Sequence, residues 1–139
     1  MTEKLSPRLL EVVDALPLTP GMRVLEIGCG PGAMARKIAV RVRSGAVLGI
    51  DRSAKAIALA QSANNPPNLT IRQASAEDFR LQSGEAPYDI AVAVRVGALD
   101  GRHPEAAEAA LRAIAAALRP GGRLFIDGGN PLLNIPLPQ

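Results

Sequence analysis

The stretch Val24-Leu25-Glu26-Ile27-Gly28-Cys29-Gly30-Pro31-Gly32 limits the folds open to this chain more than any other. Val24 to Ile27 is a short apolar run of the kind found in strands buried on both faces. Three glycines at alternate positions follow. Glycine reaches backbone angles that other residues avoid, and its bare backbone lets a ligand come close. Ala33 to Val42 then repeats with a helical period. Strand, glycine turn and helix in this order put free helix N–H groups at the turn, a geometry suited to the polar part of a nucleotide-like ligand.

The dinucleotide fingerprint G-x-G-x-x-G is one reading, with Ala33 in its third slot. Glu26, two residues before the first glycine, favours another. A carboxylate there repels a pyrophosphate and suits a ligand that carries an amine. The pattern E-x-G-x-G-x-G resembles motif I of the class I S-adenosylmethionine-dependent methyltransferases. The resemblance implies a ligand with an ammonium and a sulfonium and no phosphate. It also implies contacts from Glu26, Gly28, Cys29, Gly30 and Gly32.

Later segments add to the resemblance in order. Ala46 to Asp51 is a second buried strand ending in a carboxylate. Asp51 lies about 20 residues beyond the turn, where an acid accepts from two ribose hydroxyls in this architecture. The resembled family carries its motif II acid there. Ser53 caps the next helix, which is expected to leave Asp51 free, and Arg52 is placed to lie along the adenine. After a third strand, Leu69 to Gln73, the run Ala74-Ser75-Ala76-Glu77-Asp78-Phe79 resembles motif III. Many family members have Asp where this chain has Ser75. The adenine contacts are therefore assigned to Ser75 and the Ala76 backbone, with Glu77 or Asp78 as substitutes.

Tyr88 to Val94 resembles the family's fourth strand, and the loop from Arg95 to His103 follows at its carboxyl end, where ligands bind in open α/β sheets. Arg95 is assigned to the cofactor site. Arg95, Asp100, Arg102 and His103 are the polar groups expected to meet a methyl acceptor. His103, the chain's single histidine, is either a general base or a helix-start residue without chemical role. No catalytic residue is identified. Pro104 to Leu118 predicts a long helix with Ala107, Leu111, Ile114 and Leu118 inward. Leu118 to Leu124 resembles the segment before the family's fifth strand, predicted over Leu124 to Asp127. The resemblance spans about Met22 to Asp127.

Other features narrow the reading. Ser6-Pro7 opens a helix with Leu9, Val13 and Leu16 on one face. Two roles stay open for it, a cover over the cofactor site or a helix packed on the sheet. Arg36, Lys37, Arg41 and Arg43 read as solvated charges on an outer helix face. The net charge of +3 with scattered arginines does not indicate nucleic acid. One cysteine, Cys29, rules out an internal disulfide and reads as structural. Met1-Thr2-Glu3-Lys4 does not read as a secretory leader, no apolar run is long enough for a membrane span, and a cytoplasmic location is expected.

The expected architecture is one α/β domain over 1–139, a Rossmann-like three-layer sandwich. Its sheet is mainly parallel, with five strands in the order 3-2-1-4-5 and right-handed crossovers. The family's usual C-terminal strand pair is expected to be missing, because Gly128 to Gln139 is too short and proline-rich. This tail is expected to cover the fifth strand, on its own domain or on a second subunit, with a homodimer the favoured version. The implied function is methyl transfer from S-adenosyl-L-methionine to a small molecule, with no metal. A non-catalytic cofactor-binding module is the alternative. A nicotinamide-dependent oxidoreductase is disfavoured by Glu26 and by the motif order.

Overall fold

A computed structural model describes residues 4–138; Met1 to Glu3 and Gln139 lie outside it, and with them most of the segment read for a leader. The elements run α1 (Pro7–Ala15), β1 (Arg23–Ile27), α2 (Ala33–Val42), β2 (Ala46–Asp51), α3 (Ala54–Ser62), β3 (Leu69–Gln73), β4 (Tyr88–Ala93), a 3-10 turn (Pro104–Ala106), α4 (Ala107–Ala117), β5 (Leu118–Asp127) and β6 (Leu132–Ile135). The sheet order is β3-β2-β1-β4-β5-β6, with β1 to β5 parallel and β6 antiparallel to β5.

The strands form where apolar runs can be buried on both faces. Val24, Leu25, Ile27, Ile50, Ile90 and Leu124 are almost wholly removed from solvent. Burying each such side chain stabilises the fold by about 1.5–3 kcal/mol. One apolar layer joins the sheet to α1, α2 and α3 through Val12, Val13, Ile38 and Ile57. The other joins it to α4 and to the segment after β3 through Ile114, Ala117 and Phe79. Ser6 caps α1 by accepting from Leu9 N, and Ser53 caps α3 by accepting from Ala56 N.

Three expectations are corrected. The sheet has six strands, not five: Leu132–Ile135 pairs with β5 through Leu124↔Ile135, Phe125↔Asn134, Ile126↔Leu133 and Asp127↔Leu132. Pro131 and Pro136 flank this short edge strand and do not interrupt its ladder. The tail thus covers β5 within its own chain. The predicted long helix starts as a 3-10 turn, and its core face carries Ala110, Ala113, Ile114 and Ala117, while Ala107 and Leu111 are only partly buried. Small alanines let α4 lie close to the sheet. Finally, β5 begins at Leu118, six residues early, with an irregular stretch between its pairing to Tyr88 and to Ile90.

The segment from Ala74 to Pro87, which joins β3 to β4, is fastened from below. Arg72 makes two hydrogen bonds to the Glu85 carboxylate, at 3.2 and 3.1 Å, and Tyr88 donates to it at 2.6 Å. Phe79 sits beneath, 2% exposed, with the Arg72 guanidinium 5.8 Å from its ring centre. This anchor holds the residues after β3 as one wall of the site.

Candidate active site

The carboxyl ends of β1, β2, β3 and β4 converge on two cavities. A cleft of about 550 Å³ lies between the ends of β2 and β3 and the loop after β4. A second cavity of about 440 Å³ lies between the glycine turn and the start of α1. Gly28 and Arg95 line both, so the two spaces meet there.

The glycine turn hangs from β2. Gly28 N and Cys29 N both donate to Ile50 O, at 2.8 and 2.9 Å. Gly28, Gly30 and Gly32 take φ of 72, 54 and 93°, a region that favours glycine. A side chain at Gly30 would meet nothing within 4 Å: its missing Cβ leaves open space. At Gly32 a Cβ would lie 2.8 Å from an Arg36 guanidinium nitrogen, so this glycine makes room for Arg36. Gly32 lines neither cavity.

Asp51 is not left free. Its Oδ2 accepts from Gly30 N at 2.8 Å and its Oδ1 from Ser53 N at 2.9 Å. Each carboxylate oxygen keeps a further lone pair, and Asp51 lines the larger cleft beside Arg52. The same carboxylate therefore shapes the turn and faces the ligand space. Ser75, Ala76 and Glu77 line that cleft as well. Asp78 does not. It is turned onto Ser75, which donates to its carboxylate at 3.1 Å and accepts from its N–H at 3.3 Å. Glu77 is thus the acid of this segment that faces the cleft.

Glu26 is the one buried charged or polar residue of the described core, 3% exposed. Its Oε1 has no hydrogen-bond partner among the described residues. Burial, and then the nearby Asp51 charge, push its carboxyl up from 4.5 to about 8, against the pull of Arg36. Such a group is costly unless something occupies the cavity beside it. Cys29 lies in the same cavity wall. Burial, followed by the charges of Glu26 and Asp51, raises its thiol to about 12, so it is not a nucleophile. Gly49 makes space for it: a Cβ there would be 3.1 Å from the Cys29 sulfur.

Arg36 corrects the reading of the α2 arginines as solvated charges. It is partly buried and folds back to donate to Pro31 O at 3.0 Å and Asn65 Oδ1 at 3.2 Å, bracing the glycine turn. Helical periodicity places it outside, but its long side chain reaches around. Of the two roles open for α1, packing on the sheet is seen, with Val12, Val13 and the following Leu16 buried in the core; Ser6, Arg8 and Leu9 also line the smaller cavity. Arg8 missed notice in the sequence, where nothing pairs it with Asp127, 119 residues away; here they are 3.1 Å apart.

The loop after β4 completes the mouth. Arg102 and His103 line the larger cleft, and Asp100 is bound by Arg102 instead of facing it. The His103 ring lies over Gly97, where a Cβ would approach it to 2.2 Å, and its Nδ1 is 3.6 Å from Glu105 Oε1. Among the described residues no cluster of His, Cys, Asp and Glu could hold a metal ion, and no helix is long and apolar enough to cross a membrane.

Known proteins are similar to this chain in sequence and in fold. Trans-aconitate 2-methyltransferase of Paracidovorax citrulli is 37% identical over 118 residues, covering 84% of this chain and 42% of that protein. Ubiquinone biosynthesis O-methyltransferase of Aeromonas salmonicida is 34% identical over 110 residues, covering 77% of this chain and 43% of its own length. The chain thus spans less than half the length of these curated relatives. Among solved structures, a methyltransferase from Geobacter sulfurreducens, described as S-adenosylmethionine-dependent and bound to S-adenosyl-L-homocysteine, superposes with a TM-score of 0.65 at 25% identity. The match covers 88% of this chain and 47% of that one. Residues 24–122, from the first residues of β1 to the bend inside β5, match the model of the methyltransferase domain, and the chain belongs to that family.

Proposed function

We propose that the chain forms one S-adenosylmethionine-binding domain that methylates a small molecule. The observation that carries this reading is the buried Glu26 carboxyl, whose Oε1 has no partner among the described residues and which lines a cavity. An ammonium is the group that answers it, since a cation restores the carboxylate form and supplies donors. The residues fit this cofactor at its other end too. Asp51 retains acceptor capacity for ribose hydroxyls, and the open space over Gly30 admits a ligand against bare backbone.

When bound, S-adenosylmethionine supplies a methyl group on a positively charged sulfur. The chain's own part is to hold and align. Glu26 binds the amine end, with Gly28, Cys29 and Gly30 around it. Asp51 and Arg52 hold the ribose and the face of the adenine, and Ser75, Ala76 and Glu77 its edge. Gly32 acts through the turn. Alignment of this sort can supply about 7–11 kcal/mol of a barrier. One relative is named for trans-aconitate and another as an O-methyltransferase of ubiquinone biosynthesis, which supports oxygen nucleophiles as acceptors. We further assign the protein to the cytoplasm, with no nucleic-acid partner.

Calorimetry with S-adenosylmethionine, S-adenosylhomocysteine and NAD tests the cofactor, and turnover of labelled methyl donor over a metabolite panel tests the reaction. Binding of NAD in place of the sulfur ligands would overturn the reading. Cofactor binding with no turnover of any acceptor would leave the binding-module alternative standing.

A further inference from the structure

Helix α1 is held firmly at its carboxyl half, where Val12, Val13 and the following Leu16 are buried and Asp14 accepts from Arg41 at 2.8 Å. Its first turn is held much less. Ser6, Pro7 and Arg8 are exposed, and Leu9 is only partly buried. Yet Ser6, Arg8 and Leu9 line the smaller cavity, together with Glu26. A helix end with so little apolar burial opens locally at low cost unless something ties it down. The tie is Asp127, the last residue of β5, whose Oδ2 accepts from Arg8 at 3.1 Å.

Asp127 has a second attachment. Its Oδ1 accepts from the Arg95 N–H at 3.0 Å, while Arg102 donates to the Arg95 carbonyl at 2.6 Å. Arg95 is a non-glycine residue in the left-handed region, with φ of 59°, a backbone that persists only where its surroundings enforce it. One carboxylate thus joins β5 to the helix beside the smaller cavity and to the residue where the two cavities meet. Its side chain is 14% exposed and lines neither cavity, so it reaches a ligand only through its partners. Arg8 and Asp127 both lie outside residues 24–122, so the match to the methyltransferase domain does not supply this pair.

The geometry points to Asp127 as a positioning residue for the cofactor: through Arg8 it keeps the first turn of α1 closed over the amine end, and through the Arg95 N–H it fixes the junction of the cavities. This rests on the cofactor reading above. Arg8 is 60% exposed, and an ion pair so exposed adds little to overall stability. Its effect falls on how long a bound ligand stays, because release of the amine end requires the first turn to lift and the pair to break.

The test follows labelled S-adenosylhomocysteine leaving the whole chain under an excess of unlabelled ligand. Asp127→Asn keeps an oxygen for the Arg95 N–H and loses the charge that holds Arg8. Arg8→Gln and Asp127→Asn should each speed release about two- to fivefold, with melting temperatures close to the parent's, and the double variant should be no faster than either. Asp127→Ala loses both attachments and should speed release at least about tenfold, with faster amide exchange at Arg95. Raising the salt should bring the parent toward the Arg8→Gln rate and leave Arg8→Gln unmoved. In the ligand-free chain, the Leu10 N–H, which donates to Ser6 O at 2.9 Å, should exchange faster in Arg8→Gln. Release at the parent rate from both single variants, additive effects in the double, or faster release that only follows a lowered melting temperature overturns the positioning role and leaves the cofactor reading intact. A parent chain that binds no S-adenosylhomocysteine overturns the cofactor reading, and this role with it.

Discussion

Replacing Glu26 by Gln separates what this residue costs the fold from what it gives the ligand. The carboxyl is shifted upward from 4.5 to about 8 because it is buried and then because Asp51 is near. Below about pH 4.5 it is protonated in both the folded and the unfolded chain and contributes no pH dependence. Between about pH 4.5 and about pH 8 the unfolded chain ionises while the folded carboxyl keeps its proton, so stability falls as pH rises. At about 1.4 kcal/mol per pH unit, the loss reaches about 3 kcal/mol by pH 7 and levels off above about pH 8. Glutamine has the same shape and does not titrate. Urea unfolding of parent and Glu26→Gln across this range should therefore give two curves that diverge upward, with the variant gaining by about 3 kcal/mol between about pH 4.5 and pH 7. The ligand should reverse the order. Calorimetry with S-adenosylhomocysteine near pH 7, in buffers of different ionisation enthalpy, should show the parent releasing close to one proton and the variant none, with weaker binding by the variant. Curves that stay parallel across the range, together with no proton release by the parent, would mean that Glu26 is already ionised and paired, and the reasoning about an ammonium ligand would fail.

Asp51→Ala should weaken S-adenosylhomocysteine binding roughly ten- to hundredfold, from a lost charge-assisted pair of about 1.5–3 kcal/mol, and should also speed amide exchange at Gly30, whose N–H loses its acceptor; unchanged affinity and unchanged exchange would remove both roles. Gly97→Val should displace the His103 ring, because a Cβ there would lie 2.2 Å from it, and so alter binding in the larger cleft while Glu26-side contacts persist; an unmoved His103 resonance in NMR would contradict this. Glu85→Gln should cost about 1.5–3 kcal/mol at neutral pH. Burial raises the Glu85 carboxyl, but hydrogen bonds from Arg72 and Tyr88 outweigh it and hold it low, so the contribution is present above the ordinary carboxylate range and lost as pH falls through the lowered value; a variant whose deficit is the same at acid pH would refute it. Ending the chain after Gly128 removes β6 and bares the β5 edge, and should lower the melting temperature and promote association seen in sedimentation; an unchanged melting temperature would show that β6 adds nothing.

The inner strands were legible because a strand buried on both faces is written as a mostly apolar run, and β1, β2 and β4 are so written, with Glu26 the one acid inside β1. The glycine turn and the acid after β2 were legible because their chemistry depends on spacing along the chain. Other features depend on distant partners and left no local mark. The Asp51 carboxylate meets a backbone N–H 21 residues back, and Arg8 meets Asp127 across the whole domain. The face of α4 was read in part: Ile114 and Leu118 are buried as expected, but with alanine at so many positions periodicity selected Ala107 and Leu111, which are only partly buried, and passed over Ala110, Ala113 and Ala117. β6 was discounted because prolines count against a strand, yet four residues with prolines only at their borders suffice to pair one edge. Arg95 could be placed near the site from its position after β4. Its strained backbone could not, since Asp127 and Arg102 impose it from elsewhere.

The Asp127 contacts have a consequence for the order in which the molecule becomes competent. The glycine turn, Asp51 and the wall after β3 all lie in the first 80 residues, and their strands can pair as they emerge from synthesis. The rim cannot close then. Arg8 waits for an acid 119 positions downstream, and Arg95 reaches its left-handed backbone only when the same acid accepts its N–H. A nascent chain stopped before β5 would therefore offer an incomplete pocket to its ligand. Completion of the rim therefore waits on the docking of the fifth strand, while the glycine turn, Asp51 and the segment after β3 precede it in the chain.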